Sequence, residues 1–146
     1  MGQVPDTSTF SLLDVVNVVG GSSLLEAIIL SNDSYFDPAY KGSKNSLYCF
    51  RNYIQPSISL SFTYVLFNYD KTITDGSDNI EVLYAGGTYT YSWATGAHFS
   101  YTKAGNVFTI TCNENNTSGD TWSDTLRFYL SAEGLSATFD VYQTSS

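Results

Sequence analysis

Residues 57–67 read Ser-Ile-Ser-Leu-Ser-Phe-Thr-Tyr-Val-Leu-Phe, an alternation of polar and apolar side chains. A period of two places successive side chains on opposite faces of a β-strand, one buried and one exposed to water. The pattern predicts a strand whose even-numbered side chains are buried. Upstream of Pro56 the apolar residues follow a helical period instead. We therefore place a domain boundary here, with residues 1–55 in one domain and 56–146 in the other.

Similar alternating runs recur at intervals of roughly 10 to 15 residues through the second domain. Residues 80–93 alternate on either side of a Gly-Gly pair, which predicts a β-hairpin. Further hairpins are predicted around Gly105 and around residues 131–134. About seven strands joined by tight turns are typical of an immunoglobulin-like sandwich. The predicted fold is mainly β, with a small α-helical N-terminal module followed by a seven-stranded antiparallel immunoglobulin-like β-sandwich.

The first domain contains two helix start signals, at Ser11 and Ser23, each followed three residues later by an acidic residue. This spacing is that of a capping box. Apolar residues follow each signal at helical spacing, and a third short helix is predicted near residues 46–53. All three are shorter than the ~12 to 15 residues at which an isolated helix becomes marginal in water. We expect this domain to be too short to bury its own helices, and to dock on neighbouring subunits or on the second domain.

The chain carries 14 acidic and 6 basic residues, a formal net charge of −8. Such a charge argues against binding to nucleic-acid phosphates or anionic lipid. The first residues lack the regions of a signal peptide, and we find no apolar run that approaches the ~20 residues needed to span a bilayer. We therefore expect no export, no nucleic-acid partner and no membrane partner. Cys49 and Cys112 are too few for a disulfide framework and are expected to be buried.

Catalytic signatures are sparse. His98 is the single histidine and lies in a predicted strand, outside any recognisable triad. A glycosidase needs two carboxylates at a defined separation, for which Asp120 and Asp124 are the candidates. The alternating loop from Asp75 to Glu81 resembles a calcium loop but lacks its bidentate glutamate. We predict that the protein is not an enzyme and holds no metal and no cofactor.

Sugar binding is more plausible than catalysis, because Trp122 accompanies a polar loop at residues 113–125. An indole can stack on a sugar face while amide and carboxylate groups bond the sugar hydroxyls. The candidate sugar-binding residues are Trp122, Asn115, Asn116 and Asp120. The alternative is that Trp122 packs beneath its own loop at the rim of the core.

Two N-terminal motifs carry a family resemblance. Residues 4–16 read Val-Pro-Asp-Thr-Ser-Thr-Phe-Ser-Leu-Leu-Asp-Val-Val, and residues 35–53 read Tyr-Phe-Asp-Pro-Ala-Tyr-Lys-Gly-Ser-Lys-Asn-Ser-Leu-Tyr-Cys-Phe-Arg-Asn-Tyr. The pair resembles an N-terminal module of virion proteins from tailed or capsid-fibred phages that infect Bacteroidetes. The resemblance implies a tail, fibre or capsid-decoration protein. Such a protein is made in the bacterial cytoplasm, located in the virion, and assembled as a homo-oligomer with other virion proteins.

The second domain resembles a BACON or related immunoglobulin-like domain. The resemblance lies in the Asn-rich loop 113–117, in the alternating strand at residues 126–130, and in the closing Phe-Asp-Val-Tyr-Gln at residues 139–143. It implies display on a surface and, as an alternative function, adhesion to a host-surface glycan or mucin. For docking on the virion we expect anchoring contacts from one arginine and three aromatic residues, types enriched in tight interfaces. These residues are Phe36, Tyr40, Arg51 and Tyr53.

Overall fold

A computed structural model describes residues 2–93, 97–131 and 134–146. Contacts divide the chain into two compact units. The first, which we call the helical unit, comprises Met1–Ser57 and Tyr84–Thr88; the second, the strand unit, comprises Ile58–Leu83 and Tyr89–Ser146. The chain is mainly β, with its helical segments in the N-terminal part and two sheets after them.

The helical unit contains two short α-helices and two 3₁₀ turns. They are α1 (Leu12–Val19), α2 (Leu24–Leu30) and the 3₁₀ turns Asp33–Tyr35 and Leu47–Phe50. The capping box at α1 is confirmed, because the Ser11 hydroxyl accepts from the Asp14 N–H while the Asp14 carboxylate accepts from the Ser11 N–H.

At α2 the box is displaced by one residue. The Ser23 hydroxyl accepts from the Glu26 N–H, but the Glu26 carboxylate accepts from the N–H and the hydroxyl of Ser22. The backbone hydrogen bond from Ser22 lowers the pKa of Glu26, and that from Ser11 lowers the pKa of Asp14, with the serine hydroxyls adding to both effects. Both helices therefore carry an ionised carboxylate in their first turn, where the helix dipole favours a negative charge.

The helical unit has a core of its own. Its buried members are Val4, Val15, Ala27, Phe36, Cys49, Phe50 and Tyr53. Phe36, Phe50 and Tyr53 form a cluster of rings whose centroids lie 4.8 to 5.5 Å apart. The expectation that this segment cannot bury its own helices is therefore corrected, because the segment around the second 3₁₀ turn brings aromatic rings into one cluster with Val15 of α1 and Ala27 of α2.

Other apolar side chains of the two helices remain exposed. The described residues include four large aliphatic side chains that are more than half exposed, and all four lie on α1 or α2. They are Leu13 (66%), Leu25 (68%), Ile29 (71%) and Leu30 (56%). We call these four residues the helix patch.

The segment Leu12–Leu30 is long and apolar enough to cross a membrane by length and composition alone, with a mean hydropathy of 1.7. The expectation that no run approaches that length is therefore wrong. One such segment near the N-terminus is weak evidence of a membrane span, since a signal sequence passes the same test. In the structure it forms two helices, because α1 ends at Gly20 with φ of +96° and Ser23 caps α2.

Nine strands among the described residues form two sheets. They are β1 (Ser57–Leu60), β2 (Tyr64–Phe67), β3 (Ile73–Gly76), β4 (Asn79–Ala85), β5 (Tyr89–Trp93), β6 (Phe99–Ala104), β7 (Val107–Cys112), β8 (Trp122–Leu130) and β9 (Ser136–Gln143). The four-stranded sheet has the order β1-β4-β7-β6, and the five-stranded sheet has the order β3-β2-β9-β8-β5. The prediction of seven antiparallel strands is therefore wrong in count, since nine are described, and in direction, since β2 pairs in parallel with β9.

The alternating stretch 57–67 forms two strands in different sheets. Beyond a bend at residues 61–63 the buried residues are Val65 and Phe67, while Tyr64 is exposed. The even-numbered positions therefore pack on the core in β1 but not in β2. A shift of one residue exchanges the two faces of a strand, and here the change of sheet causes that shift.

The predicted hairpin across Gly86-Gly87 is also wrong. Strand β4 pairs with β7, whereas β5 pairs with β8 in the other sheet, so the chain crosses between sheets at this turn. The other two predicted hairpins are confirmed. Strands β6 and β7 pair around Gly105, and β8 pairs with β9, although residues 132–133 of the predicted turn lie outside the described residues.

Inward-facing side chains of both sheets share one core. Its buried members are Val65, Phe67, Ile80, Val82, Phe99, Phe108, Ile110, Cys112, Leu126, Phe128, Phe139 and Val141. Phe108 of β7 meets Phe128 of β8 edge to face, with centroids 5.0 Å apart. The two sheets therefore pack face to face, which places the loops that join them at the ends of the strands.

We expect the substitution Gly76→Ala to destabilise the strand unit by roughly 2 to 4 kcal/mol. Gly76 has φ of +72°, and a Cβ there would lie 2.3 Å from the carbonyl oxygen of Tyr64. Gly105→Ala is the matched control, because Gly105 has φ of +61° with nothing within 4 Å of a Cβ. It carries only the backbone cost, about 1 kcal/mol. Urea denaturation measures both, and equal losses would contradict the steric argument.

Candidate functional site

Trp122 lies at the first position of β8, directly after the polar loop. Its side chain has the same parity as Leu126 and Phe128, and it is partly buried against the core of the strand unit. The His98 ring stacks on the indole, with centroids 3.6 Å apart and planes inclined by 13°. The protein therefore covers one face of the indole.

The beginning of the loop is attached to β6 and to the residues just before it. His98 Nδ1 lies 3.1 Å from Glu114 Oε1. The Asn113 side chain donates to the carbonyl of Ala97 and accepts from the hydroxyl of Ser100. These contacts position Glu114 beside the stacked rings.

Asn116 is fully buried, and its side chain organises the loop. Its amide donates to the carbonyl oxygens of Asp120 at 2.8 Å and of Gln143 at 3.0 Å. Its Oδ1 accepts from the N–H and the hydroxyl of Ser118. A carboxamide has two donors and two acceptor positions, so the protein itself uses all four.

A second buried amide, that of Gln143, joins the loop to two other segments. It donates to the carbonyl oxygens of Tyr69 and Glu114, each at 3.1 Å. Gln143 Oε1 is the buried side-chain oxygen that has no partner in the described part of the chain. The Ser146 N–H donates to the Asn116 carbonyl, and the Ser145 hydroxyl accepts from the Gly119 N–H. We call Asn116, Gln143 and the carbonyl groups to which they donate the amide network.

The four predicted sugar-binding residues have different environments. Asn115 and Asp120 are exposed on the loop, Trp122 is partly buried at its end, and Asn116 is inside it. Asn116 therefore has no hydrogen-bonding group left for a ligand. The stacking of His98 on Trp122 agrees with the alternative in which this indole packs at the rim of the core.

The four predicted docking residues also differ in their burial. Phe36 and Tyr53 are buried in the core of the helical unit, so their side chains offer a partner no surface. Arg51 is partly exposed, with its Nε 2.8 Å from Asp6 Oδ1 and its guanidinium 4.4 Å from the centre of the Tyr40 ring. Of the predicted set, only Tyr40 and Arg51 are partly exposed, and both also contact Tyr48.

Chemically reactive groups are held in structural contacts. The Asp124 carboxylate accepts from the Trp93 indole N–H and from the Thr125 N–H. Cys49 and Cys112 are buried free cysteines, and burial raises the pKa of the Cys112 thiol to about 11. A thiol with so high a pKa is protonated at neutral pH and is a poor nucleophile. Within the described residues, no group of three or more His, Cys, Asp and Glu side chains is placed to hold a metal ion.

Sequence reasoning missed two residues of this region, His98 as the stacking partner of Trp122 and Gln143 as the second buried amide. The parity of β9 was the available signal for Gln143, because this polar residue follows the inward-facing Phe139 and Val141 at the same spacing. No comparable local signal paired His98 with Trp122, which is 24 positions later in the chain.

Comparison with models of known protein families finds no match, and no curated protein sequence matches the chain. The geometry and chemistry of the two units therefore provide the basis for a functional proposal.

Proposed function

We propose that this chain is a non-enzymatic structural protein of a phage particle. It docks through its helical unit and displays its strand unit as an immunoglobulin-like domain. The observation that carries the proposal is the helix patch, whose four aliphatic side chains are between 56% and 71% exposed. The resemblance of the N-terminal motifs to a virion module supports the same assignment.

Burial of the helix patch would be strongly favourable. Burying one Leu or Ile side chain is worth roughly 1.5 to 3 kcal/mol, and exposed apolar side chains that lie side by side, as Leu25 and Ile29 do one helical turn apart, typically mark an interaction site. Both helices are already formed and capped, with Val15 and Ala27 fixed in the core of the helical unit. Binding of a partner would therefore cost little conformational entropy in this surface, and a low entropic cost favours affinity.

The strand order supports an immunoglobulin-like description of the strand unit. In such domains one sheet has the order A-B-E-D and the other contains C, F and G. The order β1-β4-β7-β6 corresponds to the first sheet, and β9-β8-β5 corresponds to the order G-F-C in the second. Strands β2 and β3 extend the second sheet beyond β9.

The docking proposal predicts that the double variant Leu25→Asp/Ile29→Asp folds but fails to assemble. These two side chains are one helical turn apart on α2 and highly exposed, so their loss should change stability by no more than about 1 kcal/mol. Incorporation into particles should fall by at least about 10-fold, since two buried charges cost more than 1.4 kcal/mol. The measurement is quantitative mass spectrometry of purified particles from phage complemented with each variant.

Leu83→Asp is the matched control for this experiment, because Leu83 is 49% exposed on β4 of the strand unit. It should be incorporated like the unchanged chain. Absence of the unchanged chain from purified particles would refute the virion assignment. Equal incorporation of the double variant would refute docking through the helix patch.

Adhesion to a host-surface glycan or mucin is the second candidate function. It is favoured by one observation, that the amide network braces a loop on which Asn115 and Asp120 are exposed. This function predicts saturable binding on a glycan array that is lost on Asn115→Ala or Asp120→Ala and retained on Asp70→Ala. If no host polysaccharide or mucin is bound, the structural role remains as the only one of the two candidate functions.

A further inference from the structure

We propose that the helix patch docks on a different protein, in an apolar groove flanked by Lys or Arg side chains. This inference rests on the proposed docking function and specifies the chemistry of the partner. It follows from the charged residues of α1 and α2, the two helices that carry the four aliphatic side chains.

The stretch of sequence that contains the helix patch has acidic residues and no basic ones. Residues 2–40 include five carboxylates and no Lys, Arg or His. Two of these carboxylates, Asp6 and Asp33, form ion pairs with basic residues later in the helical unit. Asp14 and Glu26 belong to α1 and α2 themselves, and neither forms an ion pair within the described part of the chain.

These two carboxylates lie on the same two helices as the helix patch. Glu26 lies one helical turn before Leu30 on the same face of α2, and Asp14 follows Leu13 in the first turn of α1. The hydrogen bonds from the capping residues lower the pKa of both groups, so both are negatively charged at neutral pH. A partner therefore meets aliphatic side chains together with two negative charges.

This arrangement disfavours two other occupants. A second copy of the chain would bring the same carboxylates, and a net charge of −8, against the first. Like charges juxtaposed in an interface oppose association. Anionic lipid is disfavoured for the same reason, since helices that lie on such membranes carry Lys and Arg on their polar face. A protein groove with a basic rim satisfies the aliphatic side chains and the carboxylates together.

Two synthetic helical peptides test this chemistry. They share one apolar face of Leu and Ile, and their polar positions are all Lys in one peptide and all Glu in the other. We expect the purified chain to bind the Lys peptide at least about 10-fold more tightly by fluorescence anisotropy, corresponding to 1.4 kcal/mol. Raising NaCl from about 20 mM to about 500 mM should remove most of this preference, because it shortens the Debye length. The variant Leu25→Asp/Ile29→Asp should abolish binding of the Lys peptide.

Asn17 allows a matched test of charge that leaves both capping carboxylates intact. It is exposed on α1, one turn after Leu13. Asn17→Lys should weaken binding of the Lys peptide about 3-fold or more, and Asn17→Asp should strengthen it, by rim electrostatics. The same two substitutions at the exposed Asn115 change the net charge equally and should leave binding unchanged. Equal effects at both positions would show that binding follows net charge alone, and would overturn the inference.

Sedimentation velocity and vesicle flotation test the other occupants. Self-association that is lost in Leu25→Asp/Ile29→Asp would identify a second copy as the occupant. Binding to vesicles of phosphatidylcholine and phosphatidylglycerol that is lost in this variant would identify lipid. Either result overturns the inference. If this variant is excluded from particles but the chain binds both peptides equally, docking stands and the partner chemistry is refuted; unchanged incorporation refutes both.

Discussion

Asn116→Asp is expected to destabilise the strand unit by about 3 to 5 kcal/mol, the cost of a buried charge without a partner. The new carboxylate would face the carbonyl oxygens of Asp120 and Gln143, to which the amide now donates. It would replace two hydrogen bonds with repulsion between oxygen atoms in a site closed to water. The expected result is a lower denaturant midpoint in urea or guanidinium at neutral pH.

Asn115→Asp is the control, because it adds the same charge one residue earlier on an exposed side chain. Its effect should stay within about 0.5 kcal/mol. Acidification should return part of the stability of the Asn116→Asp variant, since burial raises the pKa of a carboxyl group and protonation removes the charge. A loss of stability equal to that of the control would refute a structural role for the amide network.

Phe50→Ala is expected to cost the helical unit about 3 to 5 kcal/mol, as large-to-small substitutions of buried Phe do. Phe50 is fully buried, and its ring centroid lies 5.0 Å from that of Phe36 and 5.5 Å from that of Tyr53. Removal of this ring leaves a cavity at the centre of the aromatic cluster. The expected result is rapid amide hydrogen exchange throughout α1 and α2 in the isolated chain.

Leu25→Ala is the control for this prediction, because Leu25 is 68% exposed and its truncation opens no cavity. It should change stability by less than about 0.5 kcal/mol. If both helices already exchanged rapidly in the unchanged isolated chain, they would not depend on their own core. The expectation that neighbouring subunits hold this segment would then be restored.

Local sequence signals identified several elements correctly. The capping box at Ser11, the hairpin around Gly105 and the pairing of β8 with β9 each depend on interactions between residues close together in the chain. The displaced cap of α2 shows the limit of such a signal. Both Ser22 and Ser23 precede Glu26 at reachable distances, and only the backbone path at Gly21 and Ser22 selects which one the carboxylate meets.

The candidate sites were less accessible to sequence reasoning. Asn115 and Asn116 are identical residues side by side in one polar loop, yet one is exposed and the other is fully buried. Phe36 and Tyr53 have the composition of an interface but form a core. In each case burial is decided by segments distant in sequence, and composition carries no information about them.

From the amino-acid sequence alone follow the acidic charge, the helical start, the β-rich remainder and the short-range pairings, because their causes lie within a few neighbouring residues. The tertiary structure alone decided which sheet β1, β2 and β5 join, and which aliphatic side chains of α1 and α2 stay exposed. It also decided that Gln143 would reach the carbonyl of Tyr69, 74 positions away. Such contacts depend on how distant segments are brought together, and only the packing of the whole chain determines that.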